Sequence, residues 1–203
     1  MVHFYLEDDA GSVIADYWNM PVDIDAGRRT TVNILMEIDQ EDISDEQMRN
    51  LVFNATTLGM LVELEAKYMM KLIEINVNHT EEMQWEPLIQ DYGIYQEGVR
   101  AESSGPQMEI VAPFFVSASE ILDGQNVVVN CTLANSTSAL GTDSQNITLH
   151  QYTDGELRFM LSEEVSTWMS SHTEELTFSF IIGFNGAESQ QTIQYFWDPY
   201  GGW

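Results

Sequence analysis

Hydrophobic residues alternate with a period of two over most of the chain after Tyr92. The clearest segment, Leu176 to Phe184, carries a large apolar side chain at every second position. Glycine-bearing turn signals such as Asn185-Gly186 separate these segments. About nine or ten short strands joined in this way predict a mainly β fold, either a β-sandwich or a jelly roll. Because no low-complexity linker divides the chain, we expect a single domain over residues 1–203.

Three local signals refine this expectation. Asp154-Gly155 predicts a hairpin turn between two apolar segments. Pro113 has no amide hydrogen, so it predicts that its strand lies at a sheet edge or carries a bulge. Helical spacing of apolar residues over Ser162–Ser171 predicts a short helix or turn.

The segment from Ser44 to Val77 predicts a long helix inserted into the β fold, which makes the fold α+β overall. Ser44 is a good N-cap, and Gln47 completes a capping box. Apolar residues then recur at helical spacing, which predicts a buried stripe. We expect helix to about Leu72. Gly59 leaves open whether one helix runs through or breaks and resumes there.

The charge of the chain is strongly one-sided. Thirty-three Asp and Glu residues stand against seven Lys and Arg, which gives a formal net charge of -26. Repulsion on this scale opposes a compact state unless it is screened, and the Debye length falls to about 3 Å in 1 M salt. We therefore expect adaptation to concentrated salt, with hydrated cations bound non-specifically. The alternatives are an acidic protein from a mesophile that lives at ordinary salt concentration and an acidic mimic of nucleic acid.

The composition also disfavours two kinds of partner. Nucleic-acid binding requires clustered Lys and Arg, whereas Arg28-Arg29 is the only basic doublet. Membrane insertion requires an apolar run of about 20 residues, and none is present. The N-terminal residues have neither the positive region nor the apolar core of a secretory signal. We therefore expect the protein to begin at or near Met1 and to leave the cytoplasm only by lysis.

The sequence predicts no catalytic, metal or cofactor site. The four histidines are scattered, and none has a carboxylate nearby at metal-ligand spacing: His3, His79, His150 and His172. Cys131 is the only cysteine, so we expect a small buried hydrophobe and no intramolecular disulfide. Paired carboxylates are too frequent to indicate acid/base catalysis. A non-enzymatic role without cofactors is the prediction.

Two sets of side chains are candidates for contacts with other subunits. The C-terminal tail, residues 195–203, is unusually aromatic and is predicted to dock either on a neighbouring subunit or on its own core. Its candidate residues are Tyr195, Phe196, Trp197, Tyr200 and Trp203. The only lysines, Lys67 and Lys71, lie on the less apolar face of the predicted helix. Among five N-x-S/T sequons, Asn135 in a polar loop is the best candidate for glycosylation.

In its acidic, lysine-poor composition and its predicted β-rich architecture, the chain resembles the jelly-roll, capsid-type structural proteins of haloarchaeal viruses. No motif carries the resemblance, so no residue role is transferred from that family. The resemblance implies a virion subunit that is assembled in the cytoplasm with copies of itself or with other virion subunits. Capsid, tail and decoration proteins all remain open. The alternatives from other classes are a receptor- or glycan-binding β-sandwich module and a halophilic enzyme whose site forms only in three dimensions.

The expected salt requirement is testable by equilibrium unfolding. We expect the urea midpoint, followed by circular dichroism, to rise as KCl increases from about 50 mM to about 3 M, because screening weakens carboxylate repulsion. Sucrose is the non-ionic control, since it favours the compact state by exclusion without screening charge. Full folding with an unchanged midpoint at low salt would contradict the expectation.

Overall fold

The computed structural model describes residues 2–20, 36–39, 41–68 and 73–200. Its secondary structure is mainly β, with 61% strand in three antiparallel sheets, and the described residues form only two α-helices. The prediction of a β-rich fold is confirmed at this level. The chain divides into two compact units, Met1–Pro87 and Leu88–Trp203, where a single domain was expected. The connection between them is only a few residues long and carries no bias in composition.

The first unit contains a four-stranded sheet and one helix. Its elements are β1 (Val2–Glu7), β2 (Val13–Met20), α1 (Asp45–Phe53), β3 (Thr56–Tyr68) and β4 (Ile73–Trp85). The strand order is β2-β1-β3-β4, with every pairing antiparallel. Apolar side chains from the sheet and the helix form the core: Leu6, Ile14, Ala15, Leu51 and Leu58. Trp85 packs against this cluster, and its indole Nε1 donates to the Leu51 carbonyl oxygen at 2.9 Å.

Helix α1 begins as the sequence predicts. The Ser44 hydroxyl accepts from the Gln47 amide nitrogen at 3.2 Å, and the Gln47 side-chain oxygen accepts from the Ser44 amide nitrogen at 2.9 Å. These two bonds form the predicted capping box. Met48, Leu51 and Val52 are buried, which confirms the first part of the predicted stripe.

The predicted helical insertion over residues 44–77 is wrong beyond Phe53. Asn54 already has an extended backbone, with φ -123° and ψ 142°, and the chain continues into the long antiparallel hairpin β3–β4. Gly59, expected within or at a break of the helix, pairs instead with Glu7 and Glu82 on the two neighbouring strands. Strand β3 pairs with β4 along its whole length and with β1 over Gly59–Leu64, so tertiary structure overrides the local helical spacing.

The second unit contains the other two sheets and the second helix. Its elements are β5 (Ile89–Ile94), β6 (Arg100–Ser104), β7 (Gln107–Ala118), β8 (Asn126–Ala134), β9 (Ala139–Thr148), β10 (Tyr152–Met160), α2 (Glu163–Met169), β11 (Glu174–Phe184) and β12 (Ala187–Trp197). One sheet has the order β10-β7-β5, with β6 also paired to β7. The other has the order β12-β11-β8-β9. Helix α2 confirms the predicted short helix over Ser162–Ser171. The predicted hairpin turn at Asn185-Gly186 is also confirmed, with φ of 47° at Asn185 and 86° at Gly186.

Phenylalanine rings from both sheets meet in the core of the second unit. The centroid of Phe114 on β7 lies 5.8 Å from that of Phe180 on β11. Phe159 on β10 lies 5.8 Å from Phe178 on β11. These side chains are almost completely buried, and burying each contributes about 2 to 3 kcal/mol. The predicted inward face of β11 is therefore confirmed.

The prediction of a hairpin turn at Asp154-Gly155 is wrong. Both residues lie inside β10, where Gly155 is opposite Phe114 of β7. A Cβ atom on Gly155 would overlap the Phe114 ring. The glycine therefore makes room for the ring and does not form a turn.

Pro113 lies in β7, which has neighbours on both sides, so the prediction that its strand lies at a sheet edge is wrong. Strand β7 pairs with β10 along its length, but its other neighbour is interrupted between β5 and β6. A 3-10 turn, Gln96–Gly98, lies in this gap, and the Tyr95 amide nitrogen donates to the Pro113 carbonyl oxygen at 2.9 Å. Proline has no amide hydrogen to donate, and here it lies where the neighbouring strand is interrupted.

The close contact at Gly155 gives a stability prediction. We expect Gly155→Ala to lower the free energy of unfolding by about 2 kcal/mol or more, because the new methyl group must displace a fully buried ring. Urea titration in molar salt measures the loss. Gly183→Ala is the matched control in a strand, since its Cβ would meet no atom closer than Glu188 Cγ at 3.6 Å, an ordinary contact distance. Equal midpoints for the two variants would show that Phe114 does not pack as described.

Candidate functional site: a groove beside helix α2

A groove of about 600 Å³ opens on the second unit beside α2. One wall is the turn between β8 and β9, residues 135–138, and the other is α2 with the connection to β11. Its size falls within the roughly 300–1,000 Å³ typical of small-molecule sites. Hereafter we call it the α2 groove.

Hydrogen bonds hold α2 in place although the helix has only seven residues. Ser162 caps it, accepting from the Val165 amide nitrogen at 3.3 Å. The buried Ser166 hydroxyl donates to the Ser162 carbonyl oxygen at 2.8 Å and accepts from the Met108 amide nitrogen at 2.9 Å. Because Met108 belongs to β7, this bond ties the helix to the sheet.

Trp168 and His172 form a flat aromatic platform on the wall of the groove. Their ring centroids are 3.6 Å apart and their planes differ by 6°. The indole Nε1 donates to a Glu174 carboxylate oxygen at 3.3 Å, and His172 Nδ1 lies 3.0 Å from the Trp168 carbonyl oxygen. Trp168 nevertheless remains 51% exposed. A large, fixed and half-exposed indole is typical of binding surfaces rather than of a core.

The predicted glycosylation site, Asn135, lies at the opposite rim of the same groove. Its side-chain oxygen accepts from the Thr137 and Ser138 amide nitrogens at 3.1 and 2.9 Å, and from the Thr137 hydroxyl at 3.0 Å. These bonds define a tight Asx turn. The turn is ordered by its own side chain, so it presents hydroxyl and amide groups to the groove in a fixed arrangement.

The predicted C-terminal tail begins inside β12, and its aromatic residues divide into two groups. Trp197 is only 2% exposed, and its indole Nε1 donates to the Met169 carbonyl oxygen at 2.9 Å. Tyr195 is half-buried, with its hydroxyl 3.5 Å from the Val99 carbonyl oxygen. Phe196 and Tyr200 are 61% and 74% exposed. The structure therefore packs the first two onto their own unit and leaves the rings of the second two exposed to a partner, although the Tyr200 hydroxyl also bonds to its own unit.

The C-terminal residues also support the groove. Trp197 fixes the last residue of α2, and the Tyr200 hydroxyl donates to the Ser171 carbonyl oxygen at 3.2 Å. Both bonds hold the connection that carries His172. Trp203 lies outside the described residues.

The two lysines proposed for an interface belong to the first unit. Lys67 belongs to β3, where its backbone pairs with Glu74, and its side chain lies outside the described part of the structure. Lys71 is outside it altogether.

The described residues hold no group of three or more His, Cys, Asp or Glu side chains arranged for a metal ion. Cys131 is 2% exposed, and burial, with a smaller effect of Asp143, raises the pKa of its thiol to about 12. It is therefore a protonated core residue at neutral pH, not a nucleophile.

An ion-pair network lies on the other sheet of the second unit. Arg158 on β10 contacts Glu109 and Glu156 at 2.8 Å each, and Arg100 on β6 contacts Glu156 at 2.8 Å and Glu102 at 3.0 Å. The hydrogen bond from Arg100 is the main reason that the pKa of Glu156 lies below its ordinary value. The carboxylate therefore contributes stability above its ordinary pKa that is lost as the pH falls through the lowered one.

A scan against protein-family models, a search of curated proteins and a search of solved structures found no match to this chain. No helix in the described ranges is long and apolar enough to span a bilayer.

Sequence reasoning did not find the α2 groove. The short helix that carries Trp168 was readable from the helical spacing over Ser162–Ser171, although His172 lies beyond the end of α2. The position of the β8–β9 turn against that helix was not, since the two are separated in sequence by the whole of β9 and β10. The predicted helix over Ser162–Ser171 and the sequon at Asn135 each marked one wall, but no sequence signal placed the two walls together.

The bond from Trp197 gives the test of self-docking. We expect Trp197→Phe to lower the free energy of unfolding by about 1 to 3 kcal/mol, because the Met169 carbonyl oxygen would lose its buried donor. Phe196→Ala, at the exposed neighbouring position, is expected to change stability by about 0.5 kcal/mol or less. Thermal unfolding in molar salt compares the two variants. A larger loss for Phe196→Ala would reverse the assignment of buried and exposed aromatics.

Proposed function

We propose that this protein is a non-enzymatic structural subunit of a virus particle, adapted to high salt and acting by self-assembly. The observation that carries the proposal is the outer edge of β4, which none of the described strands covers. Strand β4 is 13 residues long and is the last strand in its sheet, and no other described strand pairs with its outer edge. Every residue from 76 to 84 is exposed.

Such an edge is unusual for a protein that works alone. Monomeric proteins protect edge strands with lysine, proline, bulges or short length, because unpaired backbone groups attract further strands. Strand β4 contains no lysine or proline, and its register with β3 has no bulge. Its charged side chains include Glu81 and Glu82, whose repulsion is screened in molar salt. It also exposes two apolar side chains, Val77 at 46% and Met83 at 39%. Addition of a strand from a second subunit would satisfy this edge.

The charge of the chain fits assembly in brine. Each unit carries a large excess of carboxylates, and copies of such a protein repel one another in dilute salt. Screening in molar salt shortens the range of this repulsion to a few ångströms, so subunits can approach closely enough for their strands to pair. Hydrated cations around the carboxylates would keep the particle soluble.

The fold proposed for residues 88–200 is a β-sandwich of immunoglobulin-like strand order. If β5 and β6 count as one interrupted strand, one sheet contains the first, second and fifth strands of the unit, and the other contains the third, fourth, sixth and seventh. This division resembles the A-B-E and G-F-C-C′ sheets of immunoglobulin-type domains. A jelly roll uses eight strands in two Greek keys, which fits this order less well.

A second candidate function is recognition of a receptor or glycan by the same module. The α2 groove favours it, because the half-exposed indole of Trp168 contributes nothing evident to the core.

Assembly through β4 is testable with charge substitutions. We expect the double variant Val77→Glu and Met83→Glu to raise the protein concentration needed for assembly about tenfold or more, because added like charges oppose strand pairing. Analytical ultracentrifugation and electron microscopy in molar KCl measure assembly. Circular dichroism establishes that the variant remains folded.

The matched control is Val128→Glu. Val128 is 41% exposed like Val77, but it lies on an inner strand, β8, of the other unit. It is expected to assemble as the wild type does. A wild-type protein that stays monomeric at all concentrations in molar salt would refute the proposed function.

A further inference from the structure

We propose that the α2 groove binds a neutral saccharide, with one sugar ring stacked on the exposed face of Trp168. The inference deepens the second candidate function and rests on it, but it is independent of assembly through β4. Four features of the groove support it: its platform, its polar groups, its charge and the shape of its aromatic surface.

The platform is preorganised. His172 covers one face of the indole at 3.6 Å, and Glu174 holds the edge of the ring through Nε1. Rotation of the ring would break both contacts, so a ligand can stack on the remaining face without first ordering the side chain. Avoiding that ordering cost improves affinity.

The polar groups around the platform match a ligand rich in hydroxyls. The opposite rim supplies the side chains of Asn135, Ser136, Thr137 and Ser138, and the near wall adds Thr167 and Glu164. Amides, hydroxyls and carboxylates can donate to or accept from sugar hydroxyls, while the indole covers the apolar face of the ring. A purely apolar ligand would displace water from these exposed polar groups without replacing its hydrogen bonds.

The charge of the groove excludes anionic ligands. Its lining contains two carboxylates, Glu164 and Glu174, and no lysine or arginine. A phosphate, sulfate or uronate group would therefore meet repulsion without a compensating cation. Nucleotides and acidic polysaccharides are disfavoured for the same reason.

A cationic ligand is the main rival, because carboxylates and an indole also attract quaternary ammonium groups. The shape of the aromatic surface favours the sugar. Cages for such cations surround the charge with several aromatic faces, whereas Trp168 and His172 are parallel within 6° and present one flat surface. A flat platform fits a flat ring better than a spherical cation.

The experiment is ligand-observed NMR on the full chain in molar KCl, with cellotriose, mannotriose and chitotriose as probes. Intact mass first establishes that Asn135 is unmodified. We expect saturation transfer to at least one trisaccharide, with a dissociation constant that changes less than about twofold between 0.5 and 3 M KCl, since the ligand is neutral. Trp168→Ala is expected to weaken binding at least tenfold, and Trp168→Phe by less, because phenylalanine keeps a flat ring.

Phe196→Ala is the matched control, since it removes an exposed aromatic side chain from the same unit but outside the groove. It is expected to bind as the wild type does. Choline is the probe for the rival. Binding of choline without any trisaccharide, binding of no probe, or trisaccharide binding that survives Trp168→Ala would each overturn the proposal, and none of these results would bear on assembly through β4.

Discussion

Packing of aromatic rings between two sheets is the interaction on which the second unit depends. Phe180 of β11 meets Phe114 of β7 and stacks with Tyr92 of β5, while Phe178 meets Phe159 of β10 and the edge of Tyr195 on β12. Phe178 and Phe180, which are adjacent on the inward face of β11, therefore connect this strand to four others. The packing also positions the α2 groove, because the Ser166 hydroxyl ties α2 to β7 of one sheet while the opposite wall is the turn between β8 and β9 of the other.

Repulsion among carboxylates opposes this packing, and the few cations of the unit are placed to reduce it. Arg100 and Arg158 are the only Lys or Arg residues after Leu88, and both are engaged by Glu102, Glu109 and Glu156. The network joins β6, β7 and β10 on the outer face of their sheet. Most other carboxylates of the unit are left without a fixed countercharge and depend on mobile cations in the solvent.

The sequence predicted the features that depend on neighbours along the chain. The cap at Ser44, the alternation of β11 and the turn at Asn185-Gly186 are set by a few adjacent residues, and the structure has all three. The errors share a different cause. Gly155 is explained by a ring on another strand and Pro113 by a break in a neighbouring strand. Beyond α1, pairing with two distant strands selects β3 where local spacing also allowed helix. The α2 groove was missed for the same reason, because its two walls are distant in sequence.

The bond between Trp197 and the Met169 carbonyl oxygen spans 28 residues, and this separation determines when the groove can form during synthesis. A ribosome that has completed α2 has not yet made the β11–β12 hairpin that carries the indole. Until that hairpin emerges, the end of the helix and the Trp168 platform have no anchor from β12. The groove is therefore expected to be among the last parts of the unit to mature, and a chain released before the hairpin is made would lack both the core rings of β11 and the anchor of the site.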